Sequence, residues 1–458
     1  MNTAYSIIGL GKLGASMAAA IASRGFKVIG VDLNQRAVDL MNAGHAPVQE
    51  TMLEETLAAN RERLRATLSH QEAILNSDVS FVIVPTPTDE RGAFSLQYAK
   101  WAFQEIGRAL AKRERYHLVV MTSTVLPGST RYGLLPILEK ESGKMCGRDF
   151  GLCYSPEFIA LGSVIHDFLN PDFNLIGEHD ERAGKQLQAC YGEIMENHPP
   201  CQRMSLENAE LTKVALNTFI TTKITYANML AELCSRLPGG DVDVVSAALG
   251  LDTRIGRKYL TGGLGYGGPC FPRDNLALSY FARMLGCEAS LAETTDRLNR
   301  SSSAKLTKLL CSIIKPHATV AILGLAYKPY SHVVEESQGI YLARELAASG
   351  LRVVSYDPLA KEMARQELTD KAMVLEDLNV CLQQADAVVI TTPDPDFRAL
   401  GPADFPQKNQ PVVVFDCWRI LREKLKSASH VCYVALGIGT DDVTYGARLR
   451  ELWSNEAK

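Results

Sequence analysis

Residues 262–275 read GGLGYGGPCFPRDN and place one thiol, Cys270, at the end of a glycine-rich loop, with Arg273 and Asp274 close behind. A cysteine that fills a core needs apolar neighbours, a disulfide cysteine needs a partner, and a zinc cysteine needs further ligands. This stretch offers none of these. The eleven cysteines of the chain are an odd, scattered set without a CxxC pair, which suits reduced thiols and does not suit a zinc site. Most stand in apolar contexts such as AELCSRL and KLLCSII, where cysteine behaves as a small hydrophobe. Cys270 is the exception, and the chemistry open to it is nucleophilic.

A second chemical signal lies near the N-terminus. GLGKLG supplies Gly9, Gly11 and Gly14 between an apolar strand pattern and an Ala-rich helix pattern. The first glycine permits a tight turn, the second lets the backbone approach a pyrophosphate, and the third brings the helix close to the sheet. Asp32 ends the next strand pattern, eighteen residues after Gly14. Its carboxylate would accept from adenosine ribose hydroxyls and repel a 2′-phosphate, which favours NAD over NADP. Arg36 nearby could soften that preference. The alternative is a similar turn that binds FAD or nothing.

A thiol beside an NAD site points to covalent aldehyde oxidation: thiolate adds to the carbonyl, hydride leaves, and the thioester is hydrolysed. That chemistry needs a depressed thiol pKa, an oxyanion donor and a placed water. The residues after Cys270 have a helical pattern, so its sulfur is expected near a helix N-terminus, which favours thiolate. Asp274, four residues on, can face the same side. Lys213 and Asn217 are spaced i, i+4 and project from one face of a helix. By spacing alone, Lys213 reads as a solvated lysine.

These groups need a frame. A chain of 458 residues suggests two or three domains at about 150 residues each. With 46% hydrophobic and 22% charged residues it has the composition of a soluble globular protein. A net charge of −4 leaves no basic footprint for nucleic acid or anionic membranes. No apolar run reaches the roughly 20 residues that span a bilayer. MNTAYSIIGLGKLG reads as a first strand rather than a signal peptide. With the reduced cysteines, this makes a cytoplasmic location the expectation.

Strand and helix patterns alternate at both ends of the chain, and the strands (KVIGVD, VSFVIVPTPT, HLVVMTSTV, TVAILGLAYKP, QPVVVFDCW) are nearly continuous apolar runs. Such runs belong in parallel sheets buried on both faces. Between them, about 205–237 runs without glycine or proline, much longer than the usual helix of about 11–12 residues. Its mixed outer face suits burial against another domain or a second subunit. The fold class is therefore α/β: two doubly wound Rossmann-like domains, 1–204 and 316–458, joined by a helical central domain at 205–315 that carries the cysteine loop. GLAYKP in the last segment lacks the third glycine, so it makes a poor dinucleotide turn but can shape a nucleotide crevice.

The chain resembles the UDP-glucose/GDP-mannose dehydrogenase family from Ile7 to roughly Val434. The resemblance rests on GLGKLG, PTPT (85–88), STVLPGS (123–129), SPEFIALG (155–162), ELTKVALNTF (210–219), the LDTRIG and GGLGYGGPCFPRDNLAL stretches, and GLAYKP. It implies oxidation of the C6 alcohol of a nucleotide sugar to the carboxylate, with reduction of two NAD and no metal. Cys270 then resembles the nucleophile that holds the thiohemiacetal and thioester, and Lys213 the lysine that stabilises the C6 oxyanion, with Asn217 its partner. Asp274 is similar to the carboxylate that works with that lysine and a water, Glu157 to the general base, and Thr124 to the hydroxyl that holds the water.

The resemblance further implies that Lys12 and Leu13 in the turn, with Pro85, Thr86, Ser123 and Thr124, line the cofactor. For the substrate it implies backbone amides of Phe158 and Ile159 and the aromatic Tyr259. Gly265 and Gly267 would wrap the nucleotide, and Lys328 would come from the third segment. Arg254 would be donated across a homodimer interface, and Arg419 would read the substrate end; each arginine could instead be a surface ion pair. Pro269 stands where the family usually has Ser, Leu161 where relatives often have Glu, and His332, Val333 and Glu335 replace an acid–arginine pattern. UDP-glucose is the expected sugar nucleotide. GDP-mannose, another UDP-hexose, or a two-electron oxidation of β-hydroxyacid type are the alternatives.

Overall fold

The computed structural model describes residues 3–159, 161–440 and 443–454. The chain forms two compact units, Met1–Leu216 with Tyr280–Cys287, and Asn217–Ser279 with Glu288–Lys458.

The first unit holds an eight-stranded sheet. Its strands are β1 (Ala4–Ile8), β2 (Lys27–Val31), β3 (Leu64–Thr67), β4 (Val79–Val82), β5 (His117–Met121), β6 (Phe150–Tyr154), β7 (Asn174–Glu178) and β8 (Cys201–Ser205). Their order is β3-β2-β1-β4-β5-β6-β7-β8, and every pairing is parallel except β6 with β7. Alternation along each strand sends Tyr5, Ile7, Phe81, Leu118 and Val120 into one core layer. Ile8, Ile29, Val82, Val119 and Met121 go into the layer on the other face. Both faces are buried, which is why these strands read as continuous apolar runs. Each fully buried side chain such as Phe81 contributes about 1.5–3 kcal/mol. The order reverses between β1 and β4, and loops at such a reversal form the ligand crevice of an open α/β sheet.

The second unit repeats the plan with six parallel strands. These are β9 (Thr319–Leu323), β10 (Arg352–Tyr356), β11 (Met373–Val374), β12 (Ala387–Ile390), β13 (Val412–Asp416) and β14 (Val431–Ala435), in the order β11-β10-β9-β12-β13-β14. The expected α/β class with two doubly wound sheets and a helical middle is what the chain adopts. The middle is built on a 31-residue helix, Leu206–Arg236, followed by Val242–Leu251, Phe271–Met284, Ser290–Arg300 and Ser302–Ile313. No helix of the described residues is long and apolar enough to cross a membrane.

Candidate active site

In the first unit, the turn after β1 is shaped by its glycines. Gly9 has φ +101°, and a Cβ there would lie 2.1 Å from Ile83 O; a Cβ on Gly14 would lie 1.9 Å from Gly9 O. Gly11 is different: no described atom lies within 4 Å of where its Cβ would sit. It begins the helix Lys12–Ser23, which has no acid in its first turn. Open space in front of such a helix start is a ready anion site, and Lys12 and Leu13 supply its first backbone positions. Asp32, at the end of β2, accepts from Leu10 N–H at 2.7 Å on Oδ2 and from Asn34 N–H at 2.9 Å on Oδ1. These bonds fix the carboxylate beside the turn and leave lone pairs for ribose hydroxyls. The residues fit a dinucleotide. Arg36 is exposed on the same rim.

The loops after β4 and β5 are stitched to each other. Ser123 Oγ donates to Val84 O at 2.7 Å and accepts from Val84 N–H at 2.9 Å. Thr86 Oγ1 donates to Thr124 O at 2.8 Å, so Pro85, Thr86, Ser123 and Thr124 form one ledge at the β1/β4 reversal. A residue not singled out from the sequence holds the continuation of the loop after β5. Glu210 is fully buried and accepts from Gly128 N–H at 2.5 Å and Thr130 N–H at 2.8 Å. Burial pushes its carboxyl up to about 7, against the pull of those donors. Its place three residues before Lys213, on the same helical face, was the available signal.

Lys213 is not solvated. It is 9% exposed; its Nζ donates to Glu157 O at 2.5 Å and lies 4.4 Å from the centre of the Phe158 ring. The carbonyl and the ring face replace part of the water a lone ammonium would otherwise require. The Phe158 ring in turn rests on Phe173 at 4.8 Å, and Ile159 is half-buried beside it. Burial pushes the Glu157 carboxyl up to about 7, and the Lys213 charge opposes that rise. A carboxyl poised there suits proton transfer near neutral pH.

In the second unit, Cys270 is exposed and directly precedes the helix Phe271–Met284. Asp274 N–H donates to Cys270 O at 2.9 Å, closing the first turn. The Asp274 side chain is fully buried, accepts from Asn217 Nδ2 at 2.6 Å, and has Arg273 Nε 3.5 Å from its Oδ1. Tyr327 packs on the backbone of Gly268, and burial, with Cys270 nearby, pushes its phenol up to about 12. Tyr327 had no sequence signal beyond its place in GLAYKP. Lys328 Nζ lies 5.7 Å from the same ring. A Cβ on Gly267 would sit 2.3 Å from Glu336 O, and one on Gly265 2.3 Å from Asn299 Oδ1. Both glycines are thus required by contacts within the chain. Tyr259 is exposed with φ +66°. Arg254 is exposed and paired with Asp252 at 2.6 Å.

Besides the burial of Lys213, two expectations differ from the structure. Arg419, expected to read the substrate end or lie in a surface pair, is buried and spends all five N–H donors inside the chain. It forks onto Asp243 at 2.8 and 2.9 Å and donates to the carbonyls of Gly262, Leu436 and Cys417. The second is Cys311, read as a packing cysteine from its apolar neighbours; it is exposed, because Leu310 takes the buried position on that helix. The turn in GLAYKP is weak for a dinucleotide, as expected. Both carboxylate oxygens of Asp357, the counterpart of Asp32, are occupied by the N–H groups of Leu325, Ala326, Leu359 and Ala360.

Three sequence models of the UDP-glucose/GDP-mannose dehydrogenase family match the chain: the NAD binding domain at residues 3–195, the central domain at 207–301 and the UDP binding domain at 321–423. UDP-glucose 6-dehydrogenase AglM of Haloferax volcanii is 36% identical over 399 residues, covering 86% of this chain and 92% of that protein. GDP-mannose 6-dehydrogenase of Azotobacter vinelandii is 34% identical, covering 86% and 93%. The solved structure of a UDP-glucose dehydrogenase from the hyperthermophilic archaeon Pyrobaculum islandicum superposes with a TM-score of 0.86 at 35% identity, covering 96% and 98% of the two chains. With the geometry of the turn at 9–14, the matched domain makes NAD the cofactor.

Proposed function

The chain belongs to the UDP-glucose/GDP-mannose dehydrogenase family, and on that premise we propose that it oxidises the C6 hydroxyl of a nucleotide sugar, UDP-glucose, to the carboxylate in two steps. The observation that carries this reading is the placement of Cys270: an exposed thiol at a helix start, one turn before a buried Asp274 that holds Asn217. The overall balance is one alcohol, two NAD and one water giving one carboxylate, two NADH and three protons.

NAD, when bound at the 9–14 turn, supplies the acceptor for each of the two hydrides. The remaining work falls to side chains. Lys213 and Asn217 stabilise the oxyanion at C6, Lys213 by its charge and Asn217 by its amide. Loss of the first hydride, with the hydroxyl proton released to solvent, leaves an aldehyde at C6; the Cys270 thiolate adds to its carbon, and the C=O π bond opens to the thiohemiacetal oxyanion. Loss of the second hydride leaves the thioester. Water, placed by Thr124 and Asp274, then gives a proton to Glu157 and adds to the thioester carbon; the S–C bond breaks and Cys270 leaves as thiolate. Glu157, Phe158, Ile159, Tyr259, Gly265, Gly267 and Lys328 are proposed to hold the substrate. Arg419 acts only on the loop, through Gly262 O.

The match of the UDP binding domain supports a nucleotide-sugar substrate, and the GGPCFPRD loop leans toward UDP-glucose. GDP-mannose is the second reading, since relatives bearing that name are 33–36% identical. We assign a homodimer as the working form, because Phe219, Tyr226 and Leu233 lie exposed at seven-residue spacing along the helix Leu206–Arg236. Arg254 would cross that interface. Eleven free cysteines favour a reducing, cytoplasmic setting.

The test is product analysis with UDP- and GDP-sugars, counting NADH per sugar oxidised. A ratio of two with UDP-glucose supports the proposal. A ratio of one, with an aldehyde or ketone product, supports a two-electron enzyme instead.

A further inference from the structure

The loop that ends in Cys270 contains five glycines in seven residues, 262–268, yet its main chain is held at residues 263–264 and at 266 by carboxamides. Asn228, on the helix Leu206–Arg236, accepts from Gly263 N–H with Oδ1 at 2.9 Å and donates from Nδ2 to Leu264 O at 2.9 Å. Asn299, on the helix Ser290–Arg300, accepts from Tyr266 N–H with Oδ1 at 2.8 Å and donates from Nδ2 to Tyr266 O at 2.9 Å. Each side chain offers one donor and one acceptor, as a neighbouring strand would. Gln338 Nε2 reinforces the second clamp on Tyr266 O at 3.3 Å.

Arg419 on Gly262 O and Glu335 O on Gly268 N–H fix the loop at either end, and two observations point to the amides as the control on the residues between. A cavity of about 860 Å³ is lined by Asn228, Gly263, Leu264, Asn299 and Ser302, so on that side the loop faces open space rather than close-packed side chains. And Gly265 leaves the room that Asn299 needs: a Cβ there would stand 2.3 Å from Asn299 Oδ1. Gly265 lies outside the left-handed region, so its requirement is spatial rather than conformational.

We propose that Asn228 and Asn299 are positioning residues for the reaction: they fix residues 263–266, and through them the thiol four residues beyond Tyr266, at the height its chemistry needs. The proposal rests on the reading of Cys270 as nucleophile. A displacement of about 1 Å at a reacting atom costs roughly 100-fold in rate. Truncating either asparagine should therefore lower kcat about 10- to 100-fold. The KM for NAD should stay within about twofold, because the glycine turn at 9–14 is untouched.

The experiment measures kcat, KM for NAD and backbone hydrogen exchange for full-length Asn228→Ala, Asn299→Ala, Gly265→Ala and the Asn299→Ala/Gly265→Ala double variant. UDP-glucose and GDP-mannose serve as substrates, with Cys270→Ser run in parallel. The expected result is loss of kcat with faster exchange confined to 263–268. Gly265→Ala should reproduce the Asn299→Ala loss, and the double variant should lose clearly less than the two single losses combined, since the added methyl then meets only Ser302 Oγ, at 3.0 Å. If Cys270→Ser is inactive while both asparagine variants keep kcat within threefold, the positioning role is overturned. Additive losses in the double variant also overturn it. Wild-type turnover by Cys270→Ser would instead remove the nucleophile reading beneath it.

Discussion

Asn217 donates a 2.6 Å hydrogen bond from its amide to the buried carboxylate of Asp274, one turn past Cys270. A neutral donor on a buried carboxylate stabilises the charged form without adding a second charge that must also be desolvated. Asn217→Asp should therefore be worse than Asn217→Ala, since it sets two carboxylates against each other. We expect kcat to fall about 10- to 100-fold for Ala and further for Asp, read by steady-state NADH formation. Equal activity of the two would remove the charge argument.

As the proposed general base, Glu157 should set an acidic limb on the rate. Its carboxyl is pushed up to about 7 by burial, and a base must be ionised to take a proton from water. Uronate formation should fall about tenfold per pH unit below that point in wild type. Glu157→Gln should be slow at every pH and lack the limb. A kcat profile from pH 5.5 to 8.5 reads both.

Glu210 couples stability to pH. Its folded-state pKa of about 7 lies above its ordinary value of 4.5, so the fold retains a proton that the unfolded chain releases. Stability from this group is therefore fully present below 4.5 and is lost as pH rises through about 7. Glu210→Gln should flatten that slope in urea titrations. It should also lower stability by about 1–3 kcal/mol, because an NH₂ group then meets a backbone N–H.

Asp32→Ala should raise the KM for NAD about 10- to 100-fold and narrow the preference over NADP, since it removes acceptors for the ribose. Unchanged cofactor kinetics would count against the ribose role.

Arg419→Ala should cost about 3 kcal/mol, because it strips partners from three carbonyls while leaving a half-exposed Asp243 that water can reach. Arg419→Lys should recover little, since an ammonium cannot reproduce the fork. Thermal unfolding midpoints measure both. A KM effect on the sugar nucleotide without a stability loss would restore the substrate-end reading.

Much of this was legible in the sequence because the controlling physics is local. Apolar runs marked β1, β2, β4, β5 and β9, and the absence of glycine and proline marked the helix Leu206–Arg236. The missed strands are the four sheet edges: β3 (LRAT), β8 (CQRMS) and β11 (MV) are too polar or too short to show an apolar run, and β14 (VCYVA) is apolar but partly exposed. The site divides in the same way. Gly9, Gly14 and Asp32 announce themselves by spacing, whereas the burial of Lys213 depends on Glu157 and Phe158, over fifty residues away. Arg419 was misread because its partner Asp243 is 176 residues distant, and Asn228 and Asn299 were invisible because an asparagine bonded to main chain carries no side-chain signature.

In the proposed reaction C6 is carried on the sulfur of Cys270. This is tested by giving Cys270→Ser the sugar nucleotide and NAD and following NADH and uronate together. NAD binding should survive while uronate formation nearly stops, with at most one NADH released per sugar. Uronate produced by that variant at the wild-type rate, with two NADH each, would contradict this reading.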